Sequence, residues 1–295
     1  MAMPLLAAAL SLALSAVAHA GTIDFSNYNV PLFEQISDHI KEHVGARLGS
    51  GRNDHERYFI IPFAYENRGN DPEFSHSFIS VVRVFADGSQ PQRTPELQMR
   101  RYKHLQFEAF TVSWLPADFM ENPHLCVFDG FGARLIPSMN QCPVSPGKNF
   151  TLPDTIKLAV NAKLAVCMWG PYEITKPGFD LAVERMRLLN KGTIKYRADD
   201  RMYRKERVAI NCFHAMAGIY ELFPNGGIFG TGFKMWGING TARVLIEYTT
   251  KATRKHLLLE PVDVKKDRYG FVYAPSAKSS RGVYNPFKIA SAYRR

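Results

Sequence analysis

Cys212 follows Asn211 directly, at the point where an apolar lead-in, Val208-Ala209-Ile210, gives way to a helical pattern. Asparagine is a favoured helix N-cap, and Ala215, Met216, Ile219, Tyr220 and Phe223 recur at helical spacing until Pro224-Asn225-Gly226-Gly227 ends the run. The cysteine is therefore expected in the first turn. Backbone N–H groups without a helical partner, together with the positive end of the helix dipole, favour a thiolate there, and the thiolate is the nucleophilic form of cysteine. A nucleophile needs a base. At about 100° per residue His214 lies roughly 200° round the helix from Cys212, so the nearest histidine in sequence is badly placed to serve. The expected base is His76, in the strand-like run Glu73 to Val84.

The pair of motifs, Asn211-Cys212-Phe213-His214-Ala215 with a strand histidine far upstream, resembles the circularly permuted papain-like superfamily. That superfamily includes relatives of lecithin:retinol acyltransferase and permuted NlpC-like proteins, whose helix start reads Asn-Cys-Glu-His-Phe. Asn211, Cys212 and His214 match it, while Phe213 and Ala215 stand where the family has an acidic and an aromatic residue. The order of histidine before cysteine is the reverse of papain's. The resemblance implies an α+β fold, papain-like and circularly permuted, with a central antiparallel sheet packed against the helix that starts at the nucleophile. It implies Cys212 as nucleophile and His76 as general base, and no particular substrate. In such folds the strand after the histidine strand supplies a polar group that fixes the imidazole. Glu108 is the leading candidate for that role, with His104, Thr111 and Ser113 as alternatives, because the register between the strands is not written in the sequence.

The elements that must position these groups are readable from periodicity. A helix is expected over Val30 to Val44, with Phe33, Ile36, Ile40 and Val44 on one face. Tyr58 to Tyr65 reads as a strand. In the histidine strand, Phe74, His76, Phe78, Val82 and Val84 alternate with Ile79, Val81 and Phe85, so both faces are expected to be buried. Asp87-Gly88-Ser89 marks a turn, and one continuous strand is expected from Leu105 to Leu115. Six prolines between 116 and 153 interrupt any long helix. A helix capped at Thr151, a second from Gly178 to Asn190, a short strand at Thr193 to Tyr196, a helix over Thr241 to Thr250 and an extended segment at Tyr269 to Tyr273 complete the reading. Asp199 and Asp200 point apart as neighbours in sequence and lack a third ligand, so no metal or other cofactor is expected.

Residues 1–20 read as a secretory signal peptide, with an apolar run from Leu5 to Val17 and Ala18-His19-Ala20 as the small-x-small cleavage pattern. A single α+β domain is expected over 21–273, since 46% hydrophobic residues with 12% aromatics suffice for one packed core. Residues 274–295 read as an exposed basic tail. A net charge of +10 and a pI near 9.4 point to an anionic partner, surface or polymer. No finger, helix-turn-helix or RNA-recognition signature accompanies that charge, so nucleic acid is not an expected partner. Basic side chains cluster at Arg100, Arg101 and Lys103, at Arg197, Arg201, Arg204, Lys205 and Arg207, and near the end of the chain. Four cysteines allow three full pairings; Cys126 and Cys142 flank a turn-rich loop and suit a disulfide, which leaves Cys167 and Cys212 either bridged to each other or as thiols.

The expected activity is that of a secreted or periplasmic thiol hydrolase or acyltransferase acting on an amide or ester, for which cell-wall peptide, protein and lipid substrates all fit. The alternative is a non-catalytic envelope protein that binds an anionic surface through its basic face.

Overall fold

Arg57–Glu66 (β1) and His76–Val84 (β2) are dominated by β-branched and aromatic residues, and they pair antiparallel along their length, with Tyr65 opposite His76 and Arg57 opposite Val84. The computed structural model describes residues 32–49, 51–66, 75–90, 92–121, 144–198, 209–216, 237–238, 240–242, 245 and 268–273. Within these, β1 and β2 form the middle of a seven-stranded sheet. Its other strands are Met99–Tyr102 (β3), Leu105–Val112 (β4), Ala165–Trp169 (β7), Tyr172–Ile174 (β8) and Arg268–Tyr273 (β11). The order is β11-β7-β1-β2-β4-β3, and β8 pairs with β1 beyond the end of β7. Every pairing in this sheet is antiparallel.

A second sheet has four strands, in the order Ala209–Ile210 (β10), Lys195–Tyr196 (β9), Ser145–Asn149 (β6) and Trp114–Pro116 (β5), with β9 and β10 parallel. The chain is thus a mixed α+β fold built on a large antiparallel sheet. The strand expected over Leu105 to Leu115 is divided at Ser113: β4 stays in the large sheet and β5 leaves for the small one. Asn149 enforces the break. Its Oδ1 accepts from the Ser113 N–H at 2.8 Å, its Nδ2 donates to the Thr111 carbonyl at 2.9 Å, and the Phe150 N–H donates to the Ser113 carbonyl at 2.8 Å. Gly147 on β6 lies against the Trp114 indole so closely that a Cβ would collide with it.

Alternation along β1 and β2 sorts the core into two layers. On one face Ile36, Ile40 and Val44 of Leu32–Leu48 (α1), with Ile156 and Ala159 of Leu152–Asn161 (α2), cover Phe59, Ile61, Phe63, Phe78 and Val82. On the other, Phe179, Ala182, Val183 and Met186 of Lys176–Asn190 (α3), with residues of Cys212–Met216 (α4), cover Ile60, Ala64, Ile79 and Val81. The first helix runs four residues past its expected end at Val44, with Arg47 in its last turn, where a cation suits the dipole. The expected cap at Thr151 is formed, and α3 starts two residues before its expected Gly178 because Thr175 caps it; the two side chains accept from the N–H groups of Asp154 and Gly178 at 3.3 Å.

Residues 1–20, Cys126, Cys142, the basic run 201–207, the glycine-rich stretch 226–233 and the tail 274–295 lie outside the described residues. Arg100, Arg101 and Lys103 are exposed on and beside β3, where charge discourages further strand pairing. Among the described residues no helix is long and apolar enough to cross a membrane.

Candidate active site

Asn211 caps α4 as its position in the sequence predicts. Its Oδ1 accepts from the His214 N–H at 2.9 Å, and its carbonyl accepts the first helical bond, from the Ala215 N–H at 3.0 Å. His214 Nδ1 lies 3.1 Å from the same Oδ1, so this ring is turned back onto the cap. Cys212 is the first residue of the helix and is 4% exposed. It and Cys167 on β7 are both buried thiols, and no disulfide joins them.

His76 opens β2 and is 1% exposed. Its ring stacks on Phe78 and tilts against Tyr65, with centroids 5.4 and 5.3 Å away. Nε2 is 2.9 Å from Ser113 Oγ, which in turn is 2.8 Å from Thr155 Oγ1 at the start of α2. Nδ1 has no hydrogen-bond partner among the described residues. Complete burial pushes the imidazole down to about 3, so it is uncharged at neutral pH.

The register answers the question left open by the sequence. Ile79 pairs with Val112, so the chain just beyond Val112 reaches the His76 end of β2, and Ser113 is the group that meets the imidazole. Glu108 pairs with Arg83, seven residues further along β2 than His76. At about 3.3 Å per residue that is roughly 23 Å away, so Glu108 cannot orient this ring. Thr111 is bonded to Ser80 at 2.9 Å, and His104 is exposed in the β3–β4 turn.

Glu108 serves a different network. Its Oε1 accepts from the Thr94 N–H at 2.9 Å, and its Oε2 lies 3.6 Å from Arg83 Nη1, while Arg83 also binds Glu56 at 2.6 Å. Glu108 is fully buried, so removing its counter-charge leaves a carboxylate stranded in the core. Arg83→Met is expected to cost about 3–5 kcal/mol of stability. Urea unfolding would measure it, and adding Glu108→Gln to Arg83→Met should recover part of the loss.

The helix of Cys212 packs on β2, the strand that His76 begins. The two side chains nevertheless belong to opposite faces of the sheet. Cys212 is grouped with Ile60, Ala64, Ile79 and Val81, whereas His76 contacts Tyr65 and Phe78 of the other layer. His76 and Cys212 share no hydrogen bond. Tyr65 relates to both: it touches the His76 ring, and its phenol is pushed up first by burial and then by the charge of Cys212. The three groups thus sit around the end of the sheet where β1 stops and β2 begins.

On the Cys212 face, Ser77 Oγ and Thr241 Oγ1 are 2.6 Å apart, and Glu66 Oε2 accepts from the Ile238 N–H at 2.8 Å. These bonds tie Thr241 to β2 and Ile238 to the end of β1. Tyr65, Thr155 and Thr241 carry no motif that sequence reading detects; they join the site only through pairing and packing. Among the described residues no group of His, Cys, Asp and Glu could hold a metal ion. No family model, curated protein or solved structure matches the chain.

Proposed function

We propose that the protein is a thiol hydrolase or acyltransferase of permuted papain-like type, with Cys212 as nucleophile and His76 as base. The observation that carries this reading is the position of Cys212, at the first residue of an Asn-capped helix docked on the strand that begins with an uncharged imidazole. Cys212 Sγ would attack an amide or ester carbonyl, and backbone N–H groups of the helix start would hold the developing oxyanion. His76 would take the thiol proton and return it to the departing amine or alcohol. The acyl group, held as a thioester, would then pass to water or another acceptor. Cell-wall peptide, a protein amide and a lipid ester are all suitable substrates, and residues 1–20 would direct the chain to the periplasm or outside the cell.

A second reading, a non-catalytic envelope protein that binds an anionic surface, is favoured by one observation: Cys212 and His76 are buried on opposite sheet faces and share no hydrogen bond. Alkylation separates the two. With iodoacetamide between pH 5 and 9, the proposal expects Cys212 of the folded, reduced protein to be labelled below the usual thiol pKa of about 8.5. Protection of Cys212 until the protein unfolds would favour the binding protein.

A further inference from the structure

Arg197 stands beside the chain that leads into Cys212. β9 and β10 run parallel with Tyr196 opposite Ile210, and the Arg197 N–H donates to the Ile210 carbonyl at 3.1 Å. The next residue in register with Arg197 is therefore Asn211, which is bonded directly to Cys212. Successive Cα atoms are about 3.8 Å apart, a step that an arginine side chain is long enough to cover. On its other side β9 pairs antiparallel with β6, Tyr196 opposite Ser145, so the neighbour there is Val144, an apolar residue 43% exposed. Other arginines of the sheet are matched by carboxylates, Arg57 by Glu173 and Arg83 by Glu56. Arg197 is half-buried, its Nε is shut off from water without a hydrogen-bond partner, and it makes no ion pair among the described residues. A buried N–H without an acceptor is costly, and native folds hold few of them.

We infer that Arg197 is a substrate-binding residue of this site and takes a carboxylate carried by the acyl substrate. The inference rests on the reading of Cys212 as nucleophile and narrows its substrates to amides or esters with a carboxylate close to the scissile carbonyl, such as an acidic peptide. Nε–H and one Nη–H of a guanidinium form a flat edge of two parallel donors, which the two oxygens of a carboxylate match. Burial of Nε favours that ligand over a phosphate. An anion on this edge must shed water, and a singly charged group does so at lower cost than a doubly charged one. Val144 adds apolar surface alongside for the carbon chain that bears the charge.

Two measurements on the full chain test it. In protein labelled with 15N-arginine, the Arg197 Nε–H signal is identified by its loss in Arg197→Lys. Sodium propionate, set against sodium chloride at equal ionic strength, is expected to move that signal saturably, and inorganic phosphate to move it less. No response to propionate, or a stronger one to phosphate, overturns the carboxylate site. The second measurement compares alkylation of Cys212 by iodoacetate, whose reactive carbon bears a carboxylate, with alkylation by the uncharged iodoacetamide. Arg197→Gln is expected to lower the ratio of the two rates about tenfold and to leave the iodoacetamide rate unchanged. If glutamine prevents folding, Arg197→Lys keeps the charge, loses the two-donor edge and is also expected to lower the ratio. An unchanged ratio overturns the substrate role of Arg197 while Cys212 remains a reactive thiol. Labelling by neither reagent removes the nucleophile reading, and the substrate role with it, whereas the propionate response is independent of the thiol.

Discussion

Cys212→Ala is expected to lower turnover of an amide or ester substrate by at least about three orders of magnitude, with little change in melting temperature. The size follows from losing the only atom that bonds to the acyl group. The small structural cost follows from losing one sulfur at a site that keeps its Asn211 cap. His76→Gln should also remove most activity while retaining a polar side chain opposite Ser113. Burial pushes the His76 imidazole down to about 3, so a resting thiolate–imidazolium pair is disfavoured against the neutral pair. The proton is therefore expected to leave sulfur in step with attack on the carbonyl, and kcat/KM should show no acid limb near pH 6.5. Steady-state kinetics of the three proteins from pH 4 to 9 would check these points. A Cys212→Ala protein that still turns over substrate would end the thiol mechanism.

The second large effect is on stability at acid pH. In the folded chain, burial lowers the His76 pKa to about 3 from an ordinary 6.5. Between those values the unfolded chain binds a proton that the folded chain refuses, so stability rises with pH across that window and is lost as pH falls through it. His76 alone is expected to contribute a slope near 1.4 kcal/mol per pH unit and a total of the order of 4 kcal/mol between pH 6.5 and 3. His43, whose pKa is also lowered mainly by burial, adds a slope of the same sign, so the relevant measurement is the difference between proteins. Urea unfolding of wild type and His76→Gln from pH 7 to 3 should converge as pH falls. Parallel pH profiles for the two would show that His76 takes up its proton with the fold intact.

The elements were largely legible because each carries a local signal. Ile36, Ile40 and Val44 announce a helix by spacing, Thr151 and Asn211 announce helix starts by chemistry, and the alternating apolar residues of β2 announce a strand buried on both faces. The break at Ser113 was not legible. It depends on the Asn149 side chain, 36 residues away, occupying the Ser113 N–H. Leu181 of α3 is apolar yet 38% exposed, while Val183 is buried, because the docking angle on the sheet rather than hydrophobicity selects the buried stripe.

The same division runs through the candidate site. Sequence by itself determined that Cys212 begins a capped helix and that His76 belongs to a buried strand, since caps and strand alternation act over a few residues. Tertiary structure decided which polar group meets the imidazole, because a shift of register changes every cross-strand neighbour, and the observed register delivers Ser113 to His76 and sends Glu108 to Arg83. It also decided that His76 and Cys212 occupy opposite faces of the sheet around Tyr65. Alternation in β2 places His76 with Phe78, but the face that α4 covers is chosen by three-dimensional packing, to which no local pattern in the sequence corresponds.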